Sequence, residues 1–437
     1  MKKQLTEYEK KSWLVVVFCW IAYTTVYIGR KNLSVCLSDM IADGAVSQAF
    51  GGTVGTCFLI CYAMGQFING WLGDHFHPKN MICTGLLAAG IMNIAMGLNR
   101  VSFMFAIFWA LCGFSCSMLW SPIIRVVSTW TTDEISHAAA ASLSATIPIG
   151  TVFCYLICAA GLRYANWRVS FIICGSILCV MSVILYFCFR FLSSHMMIRA
   201  PTAEITEASA DKPKTSGFAA IFSVGLMFAA VGILFNGMLK DGLDLWIPTI
   251  LGDKFIPDSA IVSVICTILP ILNIFGAYAA RFVFHHFKIS ELATCGVMFT
   301  ISTVALAIVT AFVSFTPSKE AGMQITAGDA VLAVFITLLL AISSAAMLGA
   351  NTMLLTFIPL HYSKIGRAST VTGVLNSFSY VAAAVSSILV GAISENHGWV
   401  TVFVFFIAAS AIGAVVTILG RNPLRRATDA LDAIKTK

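Results

Sequence analysis

The chain has 437 residues, of which 59% are hydrophobic and only 11% are charged, and its mean hydropathy is +0.89. A soluble domain carries about a quarter charged residues and roughly half apolar ones, so this composition excludes a soluble globular protein and indicates a polytopic membrane protein. The net charge of +7 is explained by basic residues beside a membrane, so it does not indicate a nucleic-acid partner.

Twelve apolar stretches, each about long enough to cross the hydrocarbon core as a helix, follow one another along the chain. The first six are predicted near residues 13–36, 50–72, 81–98, 102–124, 138–162 and 169–191. The other six are predicted near residues 217–248, 259–283, 291–314, 329–358, 369–393 and 398–420. Both termini are assigned to the cytoplasm, because 19 of the 27 Lys and Arg residues then lie on that side and 5 on the other. No small-residue cleavage site precedes the first span, so no cleavable signal peptide is predicted.

The first span contains a cation that orientation does not explain, because Arg30 lies within its apolar sequence. Charged residues inside a span are costly and usually line a water-filled path or bind a ligand. Tyr23, Tyr27 and Arg30 are spaced four and three residues apart, so they share one face of a helix. A guanidinium fork with tyrosine hydroxyls beside it suits a phosphate or a carboxylate.

A long polar run divides the chain into two halves. Residues 192–216 are rich in Pro, Ser, Thr, Ala, Lys and Glu, as in a flexible cytoplasmic linker. The predicted domains are an N-terminal six-helix half at 1–191, a C-terminal six-helix half at 217–420 and a cytoplasmic tail at 421–437. The predicted fold class is therefore an all-α polytopic membrane protein with twelve transmembrane helices in two parallel-repeat halves, which is the plan of the major facilitator fold.

The seventh span contains the second unexplained cation, Lys240, which follows Arg30 by 210 residues. Asn236 lies one turn before it and Asp244 one turn after it, so the carboxylate is expected to hold the ammonium when the site is empty. The alternative is that the Arg30-Lys31 and Lys240-Asp241 pairs simply end shorter spans. Apolar sequence resumes after each pair, which favours the interpretation as a site.

The 14 cysteines lie mostly within spans and have no paired spacing. Cysteine behaves as a small apolar residue in buried helix packing. They are interpreted as packing residues, and neither a disulfide framework nor a metal site is predicted.

Several motifs along the chain are similar to one family of membrane proteins. The order Tyr-x3-Tyr-x2-Arg-Lys-Asn at 23–32 resembles the first span of the organophosphate:phosphate antiporters of the major facilitator superfamily. Further resemblances are Tyr62, Gly70 and Asp74 in the second span, Pro122, Arg125 and Trp130 in the fourth, Lys240-x5-Trp246-x-Pro248 in the seventh, and Gly373, Phe378, Tyr380, Gly391, Gly398 and Trp399 in the last two.

This resemblance implies roles for individual residues. Arg30 and Lys240 would grip a phosphate, and Tyr23, Tyr27, Tyr62 and Tyr380 would line the cavity. Gly70 and Asp74 would form a gate, with Arg125 as a paired charge beside it. Gln66, Asn236, Asp244 and Asn351 complete the candidate substrate-binding residues.

The sequence also departs from the family pattern. Lys240 stands where bacterial members commonly have Arg, and Leu245 rather than Asp precedes Trp246. Gln66 replaces a lysine common in the glycerol-3-phosphate type, and the fifth span lacks that type's histidine. These departures disfavour glycerol-3-phosphate and leave the substrate open.

The sequence therefore predicts a secondary transporter of a small anion in a bacterial inner membrane, which exchanges organophosphate for phosphate by alternating access. One alternative is a proton-coupled symporter of a sugar acid or other carboxylate, with Asp241 or Asp244 carrying the proton. Another is a sugar-phosphate sensor that does not transport. No enzyme activity and no cofactor are predicted. The expected partners are the small anion and the lipid bilayer, without nucleic acid, and we expect a monomer.

Overall fold

The computed structural model describes residues 7–131, 135, 142, 143, 145–195, 224–316, 326–362 and 368–433. Within these ranges the regular structure is helical, without β-strands. The helices up to the linker are α1 Glu7–Ile28, α2 Asn32–Ala42, α3 Gln48–His75, α4 Pro78–Leu98, α5 Ser102–Ser117, α6 Trp120–Trp130, α7 Thr146–Tyr164 and α8 Trp167–His195. Those after it are α9 Val224–Gly237, π1 Met238–Gly242, α10 Ile247–Lys254, α11 Ser259–Cys266, α12 Ile268–His286, α13 Glu291–Phe315, α14 Ala327–Thr352, π2 Met353–Phe357, α15 Ile358–His361 and α16 Ala368–Ala433.

Helices are expected here because lipid offers no partner for backbone N–H and C=O groups. By length and apolar composition, ten described helical segments are candidate spans. The longest of these covers Val371–Asp429 and is interrupted at Gly398, where φ is 74° and ψ is 176°. This interruption separates the eleventh predicted span from the twelfth. Since α3 adds a further helix of 28 residues, each of the twelve predicted spans has a helix.

Two helices extend past the predicted domain boundaries. Helix α8 continues to His195, beyond the predicted start of the linker at 192, and most of the remaining linker lies outside the described residues. Residues 421–433 of the predicted tail continue α16 as a helix. Leu424 of this extension is only 2% exposed, because its backbone packs against Gly225 at the start of α9.

Within the described residues, five predicted spans are interrupted, including the eighth, which breaks at Thr267 between α11 and α12. The first span breaks between α1 and α2, and the fourth breaks between α5 and α6. In the second half, π1 interrupts the seventh span and π2 the tenth. Irregular backbone at membrane depth is tolerated where protein or a water-filled cavity satisfies its polar groups, and π-bulges often occur at functional sites.

The chain forms two compact units that exchange short segments. One unit contains residues 1–47, 53–202 and 258–270, and the other contains 48–52, 203–257 and 271–437. The start of α3 thus belongs with the later half, where Ala49 N donates to Glu395 Oε2 at 2.7 Å and Ser387 Oγ donates to the Gly52 carbonyl at 3.1 Å. The start of α11 belongs with the earlier half, where Arg163 Nη1 lies 3.7 Å from Asp258 Oδ2.

Each unit also contains one tryptophan–aspartate hydrogen bond at a corresponding place. Trp167 Nε1 donates to Asp43 Oδ2 at 3.1 Å in the first unit, and Trp399 Nε1 donates to Asp253 Oδ2 at 3.0 Å in the second. The two aspartates are 210 residues apart, the separation that also relates Arg30 to Lys240. This agreement supports the interpretation of the chain as two repeats.

Candidate functional site

Arg30 lies where the first span changes from one helix to the next. Helix α1 ends at Ile28 and α2 begins at Asn32, so the Arg30 backbone lies in the turn between them. The amide nitrogens of Arg30 and Lys31 both donate to the Tyr27 carbonyl, each at 3.3 Å. The apolar sequence that follows is helical, which favours a single interrupted span over one that ends at Arg30.

Aromatic rings surround the Arg30 guanidinium. Its Cζ atom lies 4.2 Å from the ring centroid of Tyr62, 5.2 Å from that of Tyr27 and 5.6 Å from that of Phe58. A cation over an aromatic face is stabilised by about 0.5–1 kcal/mol at an exposed site and by about 2 kcal/mol when desolvated. The structure thus brings two of the predicted tyrosines, from α1 and α3, to the same cation.

Three aromatic residues that pack around the predicted tyrosines or their neighbours were not among the sequence predictions. Phe58 stacks on Tyr62 with ring centroids 6.1 Å apart, and Trp109 of α5 lies 5.2 Å from Phe58. Tyr23 is 5.5 Å from Tyr27 and 4.8 Å from Trp120 of α6. Phe58 is four residues before Tyr62, so helical spacing from a predicted site residue was the signal that could have found it.

Lys240 lies in π1, the interruption of the seventh span. Its Nζ atom is 2.5 Å from Asp241 Oδ2, and the two side chains are 21% and 18% exposed. Ser386 Oγ of α16 donates to the carbonyl of Met238 at the start of π1 at 3.3 Å. The carboxylate on the ammonium is therefore the adjacent Asp241, whereas the sequence predicted Asp244 for that role.

The other predicted substrate-binding residues are distributed more widely. Asn236 is completely buried in α9 and donates to the Met347 carbonyl of α14 at 2.7 Å, so it connects two helices. Gln66, Asp244 and Tyr380 are partly buried, as is Asn351, whose Oδ1 atom has no hydrogen-bond partner among the described residues. The backbone of the predicted gate residues Gly70 and Asp74 is within α3, and the Asp74 side chain lies outside the described part of the structure. Arg125 is half-buried in α6.

Three cysteines that the sequence treated separately come together in the first unit. The Sγ atoms of Cys154, Cys158 and Cys174 lie within 4.8 Å of one another, and all three residues are buried. Thiolates suit soft metal ions, but several thiolate charges buried without counter-charges are costly. Neutral thiols packed between α7 and α8 satisfy this environment at lower cost.

The two predicted cations have side chains that are suited to binding an anion. A guanidinium such as that of Arg30 offers a planar fork to two oxygens of a phosphate, and an ammonium such as that of Lys240 offers a point charge. Tyrosine hydroxyls near Arg30 are donors for further oxygens. The two cations lie in separate units, each at an interruption of a spanning helix, where backbone and side-chain groups can face a ligand.

These features define an α-helical integral membrane protein made of two repeated units. The chain belongs to the Major Facilitator Superfamily, a family of transporters, whose family model matches residues 19–371. Its resemblance to the organophosphate:phosphate antiporters is confirmed by the names of its relatives. It is 27% identical to "Probable hexose phosphate transport protein" of Chlamydia muridarum over 42% of this chain and 40% of that protein. It is 21% identical to "Glucose-6-phosphate exchanger SLC37A2" of Danio rerio over 95% of this chain and 93% of the relative.

Another relative has a different role. "Membrane sensor protein UhpC" of Escherichia coli is 26% identical over 40% of each chain. Thus the alignments with the hexose phosphate and sensor relatives span only about two-fifths of those proteins.

The fold resembles solved transporters. A bacterial homologue of the human lysosomal transporter Spinster, in an inward-facing and unoccupied conformation, matches with a TM-score of 0.73 at 15% identity over 96% of this chain and 98% of the other. The nucleoside transporter NupG matches with a TM-score of 0.68 at 14% identity over 93% and 98% of the two chains. These likenesses establish the major facilitator fold.

Proposed function

We propose that the protein is a secondary transporter that exchanges an organophosphate, such as a sugar phosphate, for inorganic phosphate by alternating access. The observation that carries the proposal is the matched pair of cations, Arg30 and Lys240, each at an interruption of the first span of its half. The names of the hexose phosphate and glucose-6-phosphate relatives support a phosphorylated substrate.

Exchange rather than simple uptake is proposed from the cost of buried charge. A charge in a low dielectric has to be paired, and Lys240 is paired with Asp241 in this structure. A phosphate or a phosphate ester would take the place of Asp241 on the ammonium. We expect each half to move most readily with an anion bound, so that the anion that leaves is replaced by another before the transporter returns.

We propose that the protein acts as a monomer in a bacterial inner membrane, with both termini in the cytoplasm. Its action is movement of the anion without covalent chemistry, so the protein is not an enzyme and requires no cofactor.

The test is exchange of labelled phosphate in proteoliposomes loaded with phosphate or a sugar phosphate. Arg30→Ala and Lys240→Ala are each expected to reduce exchange at least tenfold, on the order of one lost charge-assisted contact. Arg100→Ala removes a basic residue outside the predicted spans and is expected to leave exchange unchanged. Undiminished exchange in both site variants would refute the assignment.

The sensor relative supports a second candidate function, recognition of a sugar phosphate without transport. In that case the purified protein binds the sugar phosphate, seen as a ligand-dependent rise in Tm, and exchanges no phosphate. If the protein is instead a proton-coupled sugar-acid symporter, the same vesicles will take up the sugar acid in response to a pH gradient, and this uptake will not depend on internal phosphate.

A further inference from the structure

We propose that Asn93, a residue of α4 that no motif indicated, is the positioning residue for Arg30. It binds the Gly29 carbonyl before that cation and the Asn32 side chain after it. The inference rests on the proposed function, because it concerns how the first cation is presented to phosphate.

The two amide hydrogen bonds at the turn that carries Arg30 are long. The amides of Arg30 and Lys31 share the Tyr27 carbonyl at 3.3 Å each, which is long for an N–H···O bond. The carbonyl of Gly29 is satisfied from outside the span, by Asn93 Nδ2 at 3.0 Å. Because backbone groups at membrane depth need a partner, the side chain that supplies it helps to fix the turn.

Asn93 contacts the chain on both sides of the cation. Its Oδ1 atom accepts a hydrogen bond from Asn32 Nδ2 at 2.7 Å, at the start of α2. Its Nδ2 atom also donates to the Ala89 carbonyl of its own helix at 2.9 Å, which fixes the amide orientation. One side chain therefore connects the end of α1, the start of α2 and α4.

Gly29 and Asn93 are closely packed and buried. A Cβ atom on Gly29 would lie 2.9 Å from Asn93 Nδ2 and 2.7 Å from Leu178 Cδ2, so a larger residue there would displace the ends of these two side chains. Asn93 and Asn32 are both 0% exposed. A completely buried Asn93 does not touch the substrate, and its effect on binding has to pass through Arg30.

The second half also has a side chain that donates to a carbonyl at its interruption, but the donor is a serine hydroxyl in place of an asparagine amide. Ser386 of α16 donates to the Met238 carbonyl at the start of π1, beside Lys240. In both halves a polar side chain from another helix donates to a carbonyl at the interruption that carries the cation, although the Met238 carbonyl also accepts from the Leu243 amide at 3.2 Å. This recurrence argues that the hydrogen bonds serve the interruptions and are more than incidental helix contacts.

The test compares Asn93→Ala and Asn93→Ser with the wild type. Serine can bond to the Ala89 carbonyl within α4 but is too short to bridge to Gly29 and Asn32, so it is the milder variant if alanine folds poorly. Both are expected to raise the KM for phosphate roughly five- to fiftyfold with little change in maximal rate, as expected for a lost hydrogen bond that acts on binding.

The matched control is Asn69→Ala. Asn69 is also buried, and its Nδ2 atom donates across helices to Ser117 Oγ at 2.7 Å. This variant is expected to lower the Tm while the KM remains near the wild-type value. An equal rise of KM in the Asn69 and Asn93 variants would show that Asn93 has no specific role in positioning Arg30 and acts only in packing.

A double-mutant cycle with Arg30→Lys provides the decisive readout. If Asn93 acts through Arg30, Asn93→Ala raises KM much less in the Arg30→Lys protein than in the wild type. The same change should keep its full effect in Lys240→Arg. Independent, additive effects of Asn93→Ala and Arg30→Lys on the KM would overturn the proposal.

Hydrogen exchange separates this proposal from the proposed function. The amides of residues 27–35 should exchange faster in Asn93→Ala than in Asn69→Ala or the wild type. If the wild type exchanges no phosphate, the proposed function fails while this measurement still decides the role of Asn93. Unchanged protection of residues 27–35 would overturn that role.

Discussion

At the scale of single residues, the two cations differ in chemistry and in surroundings. Arg30 is stacked among the rings of Tyr27, Phe58 and Tyr62. Lys240 is paired with the carboxylate of Asp241. A guanidinium offers a planar fork to two phosphate oxygens at once, whereas an ammonium offers a point charge, and that of Lys240 must also exchange Asp241 for the ligand. Arg30 should therefore supply more of the affinity for phosphate.

This difference predicts unequal effects of two conservative substitutions. Arg30→Lys loses the fork and the planar stacking on the rings, so the KM for phosphate should rise about tenfold or more. Lys240→Arg retains a cation beside Asp241 and should change the KM less than about threefold. Steady-state phosphate exchange in proteoliposomes measures both. A larger effect of Lys240→Arg would mean that the seventh span provides the principal contact.

At the scale of elements, the ends of the helices in each half are joined by a tryptophan–aspartate hydrogen bond. In the second unit, Asp253 at the end of α10 accepts from Trp399 at 3.0 Å and from Gln48 Nε2 at 3.4 Å. It lies beyond the candidate span Val224–Gly242. Burial raises the pKa of Asp253, while the Trp399 hydrogen bond and the charge of Lys254 oppose the rise.

The raised pKa predicts a pH dependence of stability. Because the folded protein favours protonated Asp253, the free energy of unfolding should fall as pH rises from the ordinary aspartate pKa through the raised one. Asp253→Asn keeps an oxygen that accepts from Trp399 and has no charge to bury. Its Tm should therefore equal or exceed that of the wild type at neutral pH, with a flatter pH profile above pH 4.

Thermal unfolding in detergent between about pH 4 and pH 8 checks this, because the window begins at the ordinary aspartate pKa. Asp253→Ala is the control, since it removes the acceptor and leaves the buried Trp399 N–H without this bond. It should be less stable than Asp253→Asn throughout. A wild-type Tm that rises with pH in step with Asp253→Asn would contradict the assignment.

The helices themselves were largely predictable, whereas their interruptions were not. Apolar length predicted the spans because lipid leaves the backbone no alternative to a helix. The break at Arg30 depends on Asn93, which is 63 residues away in sequence, and no local pattern indicates that contact. Likewise, spacing on an ideal helix favoured Asp244 as the partner of Lys240, but the backbone there is a π-helix and Asp241 makes the contact.

At the scale of the whole molecule, the polar linker and the sequence repeat predicted two halves. They did not predict that each half contributes a short segment to the other compact unit. Residues 48–52 and 258–270 each belong to the unit formed mainly by the other half. The contacts that place them come from residues far apart in sequence, such as Ala49 with Glu395 and Arg163 with Asp258. Glu395 follows Arg163 by 232 residues, the separation of Trp167 and Trp399, so the two contacts occupy related places in the repeats.

These contacts predict a local loosening when one partner is removed. The Glu395 carboxylate accepts from the amide of Ala49 in the first turn of α3, where a negative charge is favourable. In Glu395→Ala the amides of residues 48–52 should therefore exchange hydrogen faster, whereas the amides of α7 should not change. Asn396→Ala is the matched control, because Asn396 donates only within its own helix, to the Ala392 carbonyl at 2.8 Å. Equal protection of residues 48–52 in Glu395→Ala and Asn396→Ala would show that other contacts of this segment, such as that of Ser387 Oγ with the Gly52 carbonyl, hold the start of α3. Selective loss in Glu395→Ala would show that the carboxylate holds this exchanged segment in its unit.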